Sequence, residues 1–212
     1  MLARAVRFAA PRRVEVVCVD VREPASAAEV VVRTVFSGIS GGTEMLAYRG
    51  ELDASTQLDE AIGGMSGTFS YPFRYGYSCV GWVERGTSSV PAGSLVFAFH
   101  PHQDRFVVAE ADAVLLDPRS DPRQATLFPL VETALQLTLD AGAVYGETVV
   151  LTGLGAVGLL TALLLRRAGA DVVASEPVQW RRELAGAVGV TAVPPESLRG
   201  HVADVTNGRG TP

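Results

Sequence analysis

The sequence predicts an α/β protein in two parts: a β-rich N-terminal domain over residues 1–125, then the first half of a parallel sheet with crossover helices over 126–212. Three observations carry this. Short apolar runs divided by turn residues fill the first part, the hydrophobic period becomes helical near residue 126, and a glycine-rich turn at Gly153–Gly158 joins an apolar strand to an apolar helix. The 212 residues exceed one average domain of roughly 150 and fall short of two.

Ala5 to Phe8 and Val14 to Val21 read as two strands of a hairpin, split by Ala10-Pro11-Arg12-Arg13. Glu29 to Phe36, Val80 to Glu84, Ser94 to Phe99 and Arg105 to Val108 continue the strands, with Gly86, Pro91-Ala92-Gly93 and Pro101 as punctuation. Regular short strands of this kind suit a small barrel or sandwich. Residues 50–72 hold few apolar anchors and many glycines and serines, which reads as a loop over a cleft or a surface excursion.

In the second part, Leu127, Leu130, Val131, Leu135 and Leu139 give Ala125 to Ala141 a helical period, with Gly142 as its C-cap. Thr148 to Thr152 reads as a strand, Ala156 to Arg167 as a helix stopped by Gly169, and Asp171 to Ser175 as a strand. Val178 to Val188 follows as a helix and Thr191 to Val193 as a short strand. Strands alternating with such helices imply a parallel sheet.

Composition narrows the function. Hydrophobic residues make up 48% and charged residues 19%, a folded globular mix. A net charge of −5 gives no basic footprint for nucleic acid or an anionic membrane. All 18 basic residues are arginine, which excludes a lysine Schiff base and a Walker-type phosphate loop. Cys18 and Cys79 are too few for a disulfide framework or a four-thiolate zinc site. Arginines interrupt the apolar N-terminus, so no secretion signal is read and the cytoplasm is expected. Val149 to Leu165 is uncharged over 17 residues, but a strand–turn–helix explains it better than a membrane span.

The chemistry lies in Gly153-Leu154-Gly155-Ala156-Val157-Gly158. The first glycine permits a tight turn, the second clears space for a pyrophosphate, and the third lets helix and strand pack closely. The helix N-terminus then offers its free N–H groups to the phosphates. Glu176 ends the next strand 23 positions after Gly153, where a carboxylate can accept the adenosine ribose hydroxyls. Its charge would repel a 2′-phosphate and so favours NAD. Arg181 and Arg182 could offset that repulsion and leave NADP open.

Four stretches carry a family likeness: Ser37 to Glu44 (SGISGGTE), Tyr75 to Gly81 (YGYSCVG), Pro129 to Leu135 (PLVETAL), and Glu147 through the glycine turn. On these, the chain resembles the medium-chain dehydrogenase/reductase superfamily, in which a GroES-like β-barrel precedes a Rossmann domain. The wording looks most like the zinc-independent branch containing bacteriochlorophyllide a hydroxyethyl dehydrogenase. The departures support that branch. The family's Gly-x-Cys-x-[Ser/Thr]-Asp is here Gly38 to Glu44 with one inserted residue, so the cysteine position falls on Ser40 or Gly41. Gly-His-Glu becomes Gly76-Tyr77-Ser78, the third ligand position falls near Phe128, and the four-cysteine structural zinc lobe is absent. No zinc is therefore expected. His100 and His102, at i and i+2 on a strand with Cys79, are the remaining conceivable ligands, weakened by the intervening Pro101.

By resemblance, Thr43 corresponds to the family's proton relay and Thr133 lies beside the nicotinamide. Ser40 and Tyr77 replace metal ligands and are candidates to hydrogen-bond a developing alkoxide or a carbonyl oxygen, with His102 as an outer relay to solvent. The leading expectation is a zinc-independent NAD(P)-dependent oxidoreductase acting on a small alcohol or carbonyl, with a homodimer compatible. The alternatives are an NADPH-linked enone or quinone reductase and a redox-inactive cofactor-binding or interaction protein. The family runs longer, so the sheet is expected to be completed by further chain or by a partner.

Overall fold

The computed structural model describes residues 1–211 and contains two compact units, Met1–Phe128 and Pro129–Pro212. In the first unit, β1 (Leu2–Ala10) and β2 (Arg13–Asp20) form an antiparallel hairpin. Pro11 fixes its own φ and Arg12 closes the turn at φ 62°. A second antiparallel sheet contains β3 (Glu29–Ser37), β4 (Cys79–Arg85), β5 (Leu95–Ala98), β6 (Arg105–Ala109) and β7 (Val114–Leu115) in the order β6-β3-β4-β5-β7. β3 lies between two neighbours and buries Val30, Val31 and Val32 in succession, which explains its unbroken valine run. The hairpin is tied on by backbone bonds: Val6 donates to His102 O and Asp104 donates to Arg4 O, both at 2.9 Å.

Residues 50–72 are not the anchor-poor loop expected. Leu58, Met65 and Phe69 are buried there and pack with Phe8, Phe73, Tyr75 and Ala47 of α1 (Thr43–Arg49). Their irregular spacing hides them from a periodicity argument, because only tertiary folding brings them to one side.

The helix expected over Ala125 to Ala141 is present but starts three residues later, at Phe128, with a separate short helix before it. α2 (Pro122–Ala125) is capped by the Asp121 side chain, which accepts from Arg123 N–H, and α3 (Phe128–Asp140) follows after a break. Pro129 has no N–H to give Ala125, so it fits the first turn of a new helix and not the interior of a longer one. Of the apolar residues of α3, Ala134 is buried, while Val131, Leu135 and Leu139 stand exposed.

In the second unit, β8 (Thr148–Thr152), β9 (Asp171–Ser175) and β10 (Thr191–Val193) form a parallel sheet in the order β10-β9-β8. α4 (Ala156–Arg167), α5 (Gln179–Ala187) and α6 (Leu198–Val205) accompany them. Val144, Leu154, Ala162, Leu165, Val172, Ala174, Ala185 and Val190 make its core. The uncharged stretch Val149 to Leu165 divides into strand, turn and helix, and among the described residues no helix is long and apolar enough to cross a membrane.

Candidate functional site

Gly153 leaves β8 at φ 87°, a conformation that suits glycine, and its N–H donates to Ser175 O at 2.7 Å. A Cβ on Gly158 would overlap the Gly153 carbonyl oxygen, so this glycine is required for helix and turn to touch. Gly155 differs: a Cβ there would meet nothing within 4 Å, leaving open space over the turn. Gly155 caps α4 without a side chain, and Leu159 is the first amide to bond back, to Gly155 O at 2.9 Å. Among the described residues, the N–H groups of Ala156, Val157 and Gly158 thus have no acceptor, as the unsatisfied donors of the helix start. Open space, free donors and the dipole of a 12-residue helix fit a dinucleotide pyrophosphate.

Glu176 closes the other side of this turn. It is only 2% exposed, its Oε2 accepts Leu154 N–H at 2.7 Å and its Oε1 accepts Val178 N–H at 2.9 Å. Arg181 stands 3.7 Å from Oε2 and lies over the exposed Trp180 ring, while Arg182 donates to Glu176 O and Pro177 O at 2.7 Å each. Burial pushes the Glu176 carboxyl up, but the two amides and the Arg181 guanidinium outweigh it and hold it below the usual 4.5. From the sequence this carboxylate is expected to meet a ribose; in the fold one oxygen already accepts from the glycine turn and the other from Val178.

In the first unit, Thr43 opens α1 and is exposed, while Ser40 is buried with its Oγ accepting Gly42 N–H at 3.2 Å. Tyr77 is half-buried and meets the Tyr75 ring edge-on at 6.1 Å. Phe128, at the third zinc-ligand position of the resemblance, stacks on Phe97 at 4.5 Å. A hydroxyl, a phenol and a phenyl ring form no zinc shell. Among the described residues, no group of three His, Cys, Asp or Glu is placed to hold a metal. Thr133, on α3 of the second unit, is exposed and donates to Pro129 O at 2.9 Å.

His100 and His102 do not share a strand as expected; both follow the end of β5. His100 stacks on Phe106 at 4.1 Å and pairs Nδ1 with Pro101 O at 2.9 Å. Burial, assisted by the Arg74 charge, pushes its pKa down to about 4 against the Pro101 hydrogen bond. His102 is no outer group. It is 5% exposed, with Nε2 2.6 Å from Glu44 Oε2 and Nδ1 3.0 Å from the hydroxyl of Ser37.

Glu44 is the residue that sequence reasoning missed. It is 2% exposed and its second oxygen accepts Ser40 N–H at 2.9 Å, so it ties the 38–42 turn to the chain at His102. Gly76 completes the fit, since a Cβ there would stand 2.8 Å from the His102 ring. The available signal was the Thr43-Glu44 dipeptide at the family's [Ser/Thr]-Asp position; its partner lies 58 residues away.

Comparisons with known proteins agree with this architecture. No family model matches the chain. L-threonine 3-dehydrogenase of Pyrococcus abyssi is 37% identical over 110 residues, which is 50% of this chain and 31% of that enzyme. The alcohol dehydrogenase TADH from Thermus sp. ATN1 superposes with a TM-score of 0.79 at 20% identity, covering 98% of this chain and 68% of that one. The quinone oxidoreductase of Pseudomonas syringae gives 0.75 at 19%, covering 99% and 64%. The chain thus shares the fold of these solved dehydrogenases and oxidoreductases, and its match spans about a third of the length of the threonine dehydrogenase.

Proposed function

We propose that this chain is part of a nicotinamide-dependent oxidoreductase that moves a hydride between the cofactor and a small alcohol or carbonyl compound, without zinc at the reacting centre. The observation that carries this reading is the turn at Gly153–Gly158, with open space over Gly155 and free amides at the start of α4. The likeness to threonine dehydrogenases supports it. The bound nicotinamide would supply or accept the hydride. Ala156, Val157 and Gly158 would hold the pyrophosphate through N–H groups, and Glu176 would fix the turn and face the ribose.

Thr43, exposed at the start of α1, is the candidate to pass the substrate hydroxyl proton, with Tyr77 donating to the carbonyl oxygen. Ser40 and the Glu44–His102 pair position the turn that carries Thr43. The Thr133 hydroxyl proton is committed to Pro129 O, so this residue has only lone pairs to offer the nicotinamide carboxamide. The acid at Glu176 favours NAD. One observation favours a second reading, an NADPH-linked enone or quinone reductase: Arg181 offsets the Glu176 charge at 3.7 Å.

Titration with NADH and with NADPH, followed by nicotinamide fluorescence, tests the proposal. Saturable binding of either is expected, with NADH tighter. Turnover of an alcohol panel should persist with a strong chelator, and Thr43→Ala should lower it while Thr43→Ser largely preserves it. Failure of both dinucleotides to bind would overturn the reading; tighter NADPH binding would select the second one.

A further inference from the structure

The first unit holds a cavity of about 490 Å³ between the β1–β2 hairpin and the 66–74 segment, and neither Thr43, Ser40, Tyr77 nor His102 lines it. In a chain of net charge −5, its lining contains two arginines, Arg7 and Arg74, and no carboxylate. Arg7 is paired with Glu15 across the hairpin. Arg74 is half-buried and meets only neutral acceptors among the described residues: Gln103 Oε1 at 3.0 Å and Gly64 O at 3.3 Å. A guanidinium has five N–H donors, so most of its capacity and its whole charge remain without a counter-ion.

Hydroxyl groups on the same wall add to this. Thr68 Oγ1 accepts Ser70 N–H at 3.3 Å, and among the described residues its own hydroxyl hydrogen has no acceptor. Ser66 lines the cavity beside it, and Val17 and Phe73 supply an apolar side. The wall is preformed by backbone bonds: Leu58 N–H to Gly67 O at 2.8 Å and Phe69 N–H to Thr56 O at 3.1 Å. Donors, positive charge and a rigid partly apolar wall in a ligand-sized cavity describe a receptor for an oxyanion.

We propose that this cavity is a binding site for a small anion, a carboxylate or phosphate group on a compact body, held by Arg74 with the hydroxyls of Ser66 and Thr68. It is separate from the reacting groups and does not depend on the oxidoreductase reading.

The test titrates the protein with inorganic phosphate and, separately, with acetate at constant ionic strength, following backbone amide NMR shifts of residues 66–70 and the Arg74 Nε–H. One anion or both should give saturable shifts confined to these signals, and chloride should not. Arg74→Gln should weaken binding at least tenfold, while Arg119→Gln, at an exposed arginine paired with Asp117, should not change it. If Arg74→Gln fails to fold, the Ser66→Ala, Thr68→Val double variant should give the same loss. Absence of saturable shifts, or equal binding by a folded Arg74 or hydroxyl variant, overturns the site. A response to phosphate alone assigns a phosphate ligand, and one to acetate alone a carboxylate.

Discussion

Glu176 Oε2 accepts the N–H of Leu154 at 2.7 Å, so the acidic residue ending β9 braces the glycine turn that ends β8. The carboxylate therefore does structural work before any ligand arrives. Its depressed pKa fixes the sign: this contribution is present above the unfolded carboxyl value and is lost as pH falls through the lower folded one. Glu176→Gln should flatten the acid limb of a stability–pH curve from thermal melts. An unchanged acid limb would show that the brace carries no proton-linked energy.

Gly155 and Gly158 should respond in opposite ways. Gly155 has extended backbone and empty space around it, so Gly155→Val should leave the melting temperature nearly unchanged and weaken NADH binding at least tenfold. Gly158→Ala drives a methyl into the Gly153 carbonyl and should cost about 2 kcal/mol of stability. Melting and dinucleotide titration of both variants separate the two roles.

His100 gives the first unit an acid sensitivity of its own. Its pKa of about 4 lies below the ordinary 6.5 because the ring is buried against Phe106. The unfolded chain takes up this proton first, so stability is full above 6.5 and drains as pH falls towards about 4. His100→Phe keeps the stack without the titration and should remove up to about 3 kcal/mol of that loss. Denaturant midpoints across this range are the measurement.

Breaking the Glu44–His102 pair should be costly, since both groups are almost wholly buried. Glu44→Ala leaves His102 Nε2 and Ser40 N–H without their acceptor and should cost about 3 kcal/mol. Glu44→Gln keeps an acceptor and should cost clearly less. Equal losses in urea titrations would mean that packing, not the polar pair, holds the 38–42 turn.

Local rules sufficed wherever an element is specified by its own residues. The bounds of β8, α4, β9 and β10 and the glycine turn follow from runs, period and φ > 0 positions a few residues apart. Even the break at Thr126-Leu127 was legible in Asp121-Pro122 and Pro129, signals that the longer apolar period outweighed.

The sequence alone determined a β-rich unit followed by a parallel sheet, and a glycine turn joining a strand of that sheet to its helix. Tertiary structure decided the rest: that Glu44 meets His102 across 58 residues, that Leu58, Met65 and Phe69 form a core, and that Arg74 faces a cavity free of acids. The physical reason is range. Hydrogen-bonded elements repeat every two or 3.6 residues and write their period into the chain, whereas buried pairs and cavities join distant residues whose encounter no local period records.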